Sequence, residues 1–236
     1  STLETSSAAS DVYKRQVWDI PKYGTINLHA SLLPDYRGSA PINWVIMNNE
    51  KITGVTTFFI DDKIDTGDIL VQEKIKIDKK INAGELHDKL KLIGASIVEK
   101  TLKGIVENSL QRVKQIQKKD FNTAYKFDKK NIKIDWNHNC LEIYNKIRGL
   151  SPYPGAKTSF VSKSGETVNT IFYESEYLVE KHNHNNGTII HEKGKIKITC
   201  KNGYLLIKNL KIEGKRRMDT ESLLNGFKIE KYEMVK

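Results

Sequence analysis

One short strand and the loop after it constrain this chain more than any other stretch. Residues 24–38 read Gly-Thr-Ile-Asn-Leu-His-Ala-Ser-Leu-Leu-Pro-Asp-Tyr-Arg-Gly. Ile26 and Leu28 alternate with Asn27 and His29, so the pattern predicts a strand with an apolar face and a polar face. The polar face carries an amide and an imidazole, groups that can hold an oxyanion and move a proton. Pro34 and Gly38 bracket the following loop, and ligands of open α/β sheets sit at the carboxyl ends of strands. Taken alone, the stretch is equally compatible with a strand ending in an ordinary polar turn.

A second stretch tips the balance. Val55 to Ile60 is β-branched and aromatic, which predicts a strand. The loop Ile64-Asp65-Thr66-Gly67-Asp68 follows. A carboxylate in a glycine-containing loop near a His/Asn strand completes an acid–base set.

Asn27, His29 and Asp65, together with Ser31-Leu32-Leu33-Pro34-Asp35-Tyr36-Arg37-Gly38, resemble the folate-dependent formyltransferases. The wording from His29 to Trp44 is most similar to the methionyl-tRNA formyltransferase family. The resemblance implies a Rossmann-like catalytic domain, present here in its C-terminal part, followed by a small OB-like β-barrel. It implies 10-formyltetrahydrofolate as donor and methionyl-initiator tRNA as acceptor, with no metal. Asn27, His29 and Asp65 are then the catalytic residues, and Ser31, Leu32, Leu33 and Pro34 hold the folate. Arg37 joins the expected tRNA contacts. The backbone near Asp61–Ile64 faces the pterin edge.

The rest of the chain divides on the same lines. Ser6 to Gln16 matches the in-frame translation of a sequencing-library adaptor, so residues 1–16 are expected to be an artefactual or disordered leader. Residues 17–110 are then a partial catalytic domain. At roughly 30 residues per β-α-β unit, strands and helices are expected to precede Asn27 in the full gene. Their absence would leave a sheet edge uncovered. Asn82 and Glu85 form a capping-box signature for a helix with Leu86, Leu90, Ile93, Ile97, Leu102 and Val106 on its core face. His87 falls on the polar side.

Residues 111–133 read as a polar linker. Thr123-Ala124-Tyr125-Lys126 matches the family's Thr-Ala-x-Lys, which makes Lys126 an expected phosphate contact. Residues 134–236 form the second domain. A helix from Leu141 to Leu150 carries Arg148, expected to be exposed and to face RNA. Ser151-Pro152-Tyr153-Pro154 is a stiff loop. Five strands are predicted beyond it, over 157–161, 168–173, 187–191, 195–200 and 204–212, separated by Gly/Asn turns. This pattern suits an OB-type barrel.

Charge is uneven. Residues 1–117 carry a net +1 and residues 118–236 a net +9, out of +10 for the 236-residue chain. A basic barrel and a neutral catalytic half suit a polyanionic substrate. Lys215, Arg216 and Arg217 are the densest cluster, expected to hold phosphates without reading bases. Cys140 and Cys200 are too far apart in sequence, and too poor in His neighbours, for a metal motif. They are expected to be reduced core thiols of a cytoplasmic protein. His182 and His184 lack further ligands for a metal. No apolar run is long enough to span a membrane, and a monomer is expected. Two rivals share these features: a formyltransferase acting on a sugar nucleotide or other small amine, and an inactive RNA-binding fragment.

Overall fold

The computed structural model describes residues 17–116, 120–192 and 194–236. The expected leader, 1–16, lies outside the described residues. The chain forms two compact units. The first holds the described residues up to Pro41, with Ile52–Lys76 and His87–Lys126; the second holds Ile42–Lys51, Ile77–Leu86 and Phe127–Lys236.

The first unit is built on three antiparallel strands in the order β1 (Ile26–His29), β3 (Ile52–Phe59) and β4 (Ile69–Lys76). β3 is central, and Thr53 to Phe58 are buried on both faces, as the β-branched and aromatic run requires. β1 pairs Asn27 with Phe58 and His29 with Thr56.

The two faces of β1 depart from the simple alternation. Leu28 is 38% exposed while His29 is 6% exposed. The loop after β1 folds back over the imidazole, while Leu28 lies against Gly94 of the long helix α2 (Ala83–Val106), where there is no side chain to cover it. Helix α1 (Pro41–Met47) precedes β3.

Helix α2 starts as its sequence signature predicts. The Asn82 side chain accepts from Glu85 N–H at 3.0 Å, and Glu85 accepts from Asn82 N–H at 2.9 Å. Its buried stripe begins as expected with Leu86, Leu90 and Ile97, but then runs through Thr101 and Gly104. Leu102 and Val106, expected on this face, are exposed. At about 100° per residue, Leu102 lies off the line joining Ile97, Thr101 and Gly104. A small residue at 104 is needed there because Leu110 packs onto it.

The connector 111–116 does not run free of the unit. Val113 exchanges both backbone hydrogen bonds with Ile69, at 2.8 and 2.9 Å. Further on, β5 (Thr123–Ala124) pairs in parallel with β2 (Arg37–Gly38).

The second unit is a nearly closed barrel-like sheet. Its order is β12 (Tyr232–Val235), β6 (Ala156–Ser162), β7 (Thr167–Val179), β10 (Gly203–Ile212), β9 (Lys195–Cys200), β8 (Ile189–Glu192). The ends approach where Thr188 bridges Met234. The five predicted strands are present, but β7 runs on to Val179, and β12 and a short β11 (Met218–Asp219) are added. Past Tyr173 the sequence Glu-Ser-Glu interrupts the apolar alternation that marked β7, and two compensating register shifts on either side of Asn209 skip Lys208 on β10 and Tyr173 on β7. Helix α3 (Cys140–Leu150) packs Cys140, Ile143, Ile147 and Leu150 into the core with Phe160, Phe172 and Leu205. A short helix α4 (Thr220–Leu224) follows β11, with Asp219 as its cap.

Both cysteines are buried in this core and form no disulfide. Burial, and then the neighbouring Cys140, pushes the Cys200 thiol from its ordinary 9.0 up to about 12. Burial raises Cys140 as well. The folded state therefore holds the neutral thiol. Unfolded chains ionise first, so the Cys200 contribution is intact below about pH 9 and is lost as pH rises toward 12. Between pH 9 and 10.5, denaturant midpoints of the parent chain are expected to fall more steeply than those of Cys200→Ala. In the same core, Phe172→Ala is expected to cost about 3–5 kcal/mol in urea unfolding.

Candidate active site

The site grows from the end of β1 and the loop that covers it. His29 Nε2 lies 2.8 Å from the Tyr36 carbonyl oxygen. A carbonyl only accepts, so Nε2 carries the hydrogen and the tautomer is set. His29 Nδ1 then faces Asp65 Oδ2 at 3.7 Å, longer than a hydrogen bond. Phe58 packs edge-on to the ring, with centroids 6.5 Å apart.

Asp65 is held from two sides. Its Oδ2 accepts from Gly38 N–H at 2.9 Å. Gln115 Nε2 donates to the Asp65 and Gly67 carbonyls at 3.0 and 2.8 Å. Asp65 and Tyr36 both have positive φ, 54° and 60°. Such backbone costs about 1–3 kcal/mol per residue and persists only where surroundings over-determine it. Gly67 is required for a separate reason: a Cβ there would collide with the Phe59 carbonyl.

The covering loop is braced from beneath by a hydroxyl. Thr56 Oγ1 donates to the Ser31 carbonyl at 2.7 Å and accepts from Leu33 N–H at 3.2 Å. Gln72 Nε2 reaches the Leu33 carbonyl at 2.8 Å. Ser31 is itself buried, its hydroxyl donating to the Asp35 carbonyl at 2.6 Å. Leu33 is buried, while Leu32 and Pro34 are half-buried. Of the four expected folate residues, only Leu32 and Pro34 therefore offer side-chain surface to a ligand.

The outer side of the loop is clamped by β5. Tyr36 N–H donates to the Asn122 carbonyl at 2.6 Å, and Ser39 N–H to the Ala124 carbonyl at 2.8 Å. A Cβ on Gly38 would strike that Ala124 carbonyl. The same few residues thus present the Tyr36 carbonyl to His29 and the Gly38 N–H to Asp65.

Asn27 is exposed, next to His29 on β1. Arg37 Nε and Nη2 both donate to Gln115 Oε1, at 3.1 and 2.6 Å, and its guanidinium lies 5.7 Å from the Phe121 ring. Lys126 is exposed. In the second unit Lys215, Arg216 and Arg217 are exposed, with Arg217 stacked 4.2 Å from the Tyr173 ring and donating to Asn209 at 2.6 Å.

Arg148 corrects the expectation of exposure. It is 6% exposed, and its guanidinium donates to Asn145 at 2.8 Å and to the Ile81 carbonyl at 2.9 Å. Burial pulls its pKa below the ordinary guanidinium value. α3 is buried along its 143–147–150 face, and Arg148 lies one step from it, so the side chain turns inward and serves carbonyls rather than solvent.

Gln115, Thr56, Gln72 and Asn122 had no sequence signal beyond being polar. Gln115 sits in a charged connector, and only its folding back along β4 brings it to Asp65.

Two family profiles match. The first, "Formyl transferase", covers residues 12–102, and the second, "Formyl transferase, C-terminal domain", covers residues 126–228. The chain thus carries both domains of the formyl transferase family. Curated methionyl-tRNA formyltransferases are similar along most of it. That of Flavobacterium johnsoniae is 49% identical over 89% of this chain and 66% of its own length. That of Clostridium tetani is 44% identical over 95% and 71%. The chain belongs to the methionyl-tRNA formyltransferase family, and it spans about two thirds of the length of these relatives.

Among solved structures, the sugar 3N-formyl transferase WlaRD, crystallised with dTDP and 5-N-formyl-THF, is 28% identical with a TM-score of 0.58. The match covers 81% of this chain and 66% of that one. HypX from Aquifex aeolicus, in complex with tetrahydrofolic acid, shares the fold at a TM-score of 0.64 and 19% identity, over 89% of this chain and 36% of that one.

Gln115→Ala strips two carbonyls of their donor and Arg37 of its acceptor. It is expected to cost about 1–3 kcal/mol and to speed amide exchange across 61–68, measured by hydrogen exchange. Unchanged exchange there would show that the loop holds itself.

Proposed function

We propose that this chain carries out the reaction named for its relatives, transferring the formyl group of 10-formyltetrahydrofolate to the amino group of methionyl-initiator tRNA. The observation that carries the reading is the fixed imidazole: Nε2–H committed to Tyr36, Nδ1 turned toward Asp65. The relatives' shared name supports the acceptor.

In this reading the three-stranded sheet belongs to a Rossmann-like catalytic domain within 17–110. Residues 111–133 link it to an OB-like barrel over 134–236 that binds tRNA. The methionyl amine attacks the formyl carbon and forms a tetrahedral oxyanion. With Nε2 protonated, the Nδ1 lone pair of His29 accepts the proton released by the amine. The imidazolium so formed is stabilised by the Asp65 carboxylate. Asn27, exposed and two residues before His29 on β1, donates to the oxyanion together with the newly protonated Nδ1. Collapse expels the folate nitrogen, which takes the proton back from His29. No covalent enzyme intermediate is needed.

Leu32 and Pro34 supply surface for the folate, while Ser31 and Leu33 shape the turn from within. Lys126, Lys215, Arg216 and Arg217 are exposed cations suited to phosphate. Arg37 is half-buried on Gln115, and its role is to carry the Asp65 loop as much as to meet RNA. Among the described residues no helix is long and apolar enough to cross a membrane. No group of three or more His, Cys, Asp or Glu residues among them could hold a metal.

The test is formyl transfer by the purified chain from 10-formyltetrahydrofolate to methionyl-initiator tRNA, read by acid gel separation of the product. Turnover is expected, with Asn27→Ala, His29→Ala and Asp65→Ala each lowering kcat by about 10²–10³-fold while tRNA binding persists. Near-normal turnover in His29→Ala would sink the assignment. Transfer to an amino-sugar nucleotide, with none to tRNA, would overturn the acceptor.

A further inference from the structure

A cleft of about 450 Å³ lies wholly within the second unit, lined in part by Lys51, Lys79, Lys80, Tyr144, Asn145 and Tyr177. Neither the catalytic reading nor the basic cluster at 215–217 uses it. Three parts of the sequence far apart in number build it. Lys51 ends the turn after α1, Lys79 and Lys80 precede α2, and the two tyrosines come from α3 and β7. Tyr144 and Tyr177 pack with ring centroids 5.1 Å apart. Tyr177 is 41% exposed, so its ring keeps open surface.

The floor is polar and rigid. Asn145 is 2% exposed yet lines the cleft, and its carboxamide oxygen is taken by Arg148 at 2.8 Å. Its NH₂ group is the part left to serve a ligand. Arg148 also stands 5.6 Å from the Tyr144 ring. The lysines at the rim are exposed, with Lys51 Nζ donating to Asn49 at 2.8 Å. Glu176, the one carboxylate among the described lining residues, is bridged by Lys208 at 3.0 Å. The positive charge at the mouth therefore stands largely uncancelled.

An aromatic surface beside a buried amide donor and a rim of ammonium groups has the chemistry of a stacked base with its phosphate. The volume falls within the range of small-molecule sites. We propose that this cleft binds a nucleoside monophosphate unit, the base stacking on Tyr177 with Asn145 beneath it and the phosphate meeting Lys79, Lys80 and Lys51. The unit is either a free nucleotide or one nucleotide of an RNA strand. The site is independent of formyl transfer, so an inactive chain would leave it intact.

The experiment titrates the full chain with AMP, and separately with a short single-stranded RNA, by calorimetry. Both are repeated with Tyr177→Ala, Tyr177→Phe and the double variant Lys79→Ala/Lys80→Ala, with thermal melts checking that each folds. Tyr177→Ala is expected to weaken binding roughly 5- to 150-fold, and Tyr177→Phe to retain it. The double lysine variant is expected to lower the log–log salt slope of RNA binding by about 1.4. AMP that displaces the RNA identifies the cleft as the seat of one nucleotide of a strand; AMP bound without competition identifies a free nucleotide. Absence of AMP binding, or affinities unchanged in Tyr177→Ala and the double lysine variant, overturns the proposal.

Discussion

The site depends on one hydrogen bond, from His29 Nε2 to the Tyr36 carbonyl. That bond selects the tautomer and aims Nδ1 at Asp65, and the Tyr36 that accepts it adopts a left-handed backbone. What holds Tyr36 there is not local. Its N–H is bound by the Asn122 carbonyl, from a segment 86 residues further along the chain. The connector after α2 thus sets the geometry of a ring on β1.

The same economy governs Asp65. Gly38 N–H, Gln115 and the tight approach of Gly67 to β3 fix the Asp65 loop, and among the described residues no lysine or arginine forms a salt bridge with the carboxylate. A permanent cation on Asp65 would weaken its pull on the imidazolium. Gly38 instead contributes a neutral donor, and Arg37 is diverted to Gln115. Strain at two backbone positions is offset by a dense set of hydrogen bonds, as expected where geometry serves a site.

In the proposed function, the division of labour follows charge along the sequence. The residues that would do chemistry sit in the nearly neutral half of the sequence, and the exposed cationic clusters sit in the basic half. The lysines of the Tyr144–Tyr177 cleft are an exception. Lys51, Lys79 and Lys80 come from the first half of the sequence but belong to the second compact unit.

Much of this was written in the sequence by itself. The β-branched run of β3, the Asn82–Glu85 cap, the Gly/Asn turns between barrel strands, and an acidic loop at Asp65 near the His29 strand were all readable. Each depends on local spacing or on a residue type suited to one conformation. The tertiary structure decided the rest. It buried Arg148, exposed Leu28, Leu102 and Val106, turned Ser31 and Leu33 inward, and recruited Thr56, Gln72, Gln115 and Asn122 to the site. Those outcomes depend on which distant backbone carbonyl or side chain arrives beside a residue. A pattern of polar and apolar letters records that a group needs a partner, and only the folded chain supplies one.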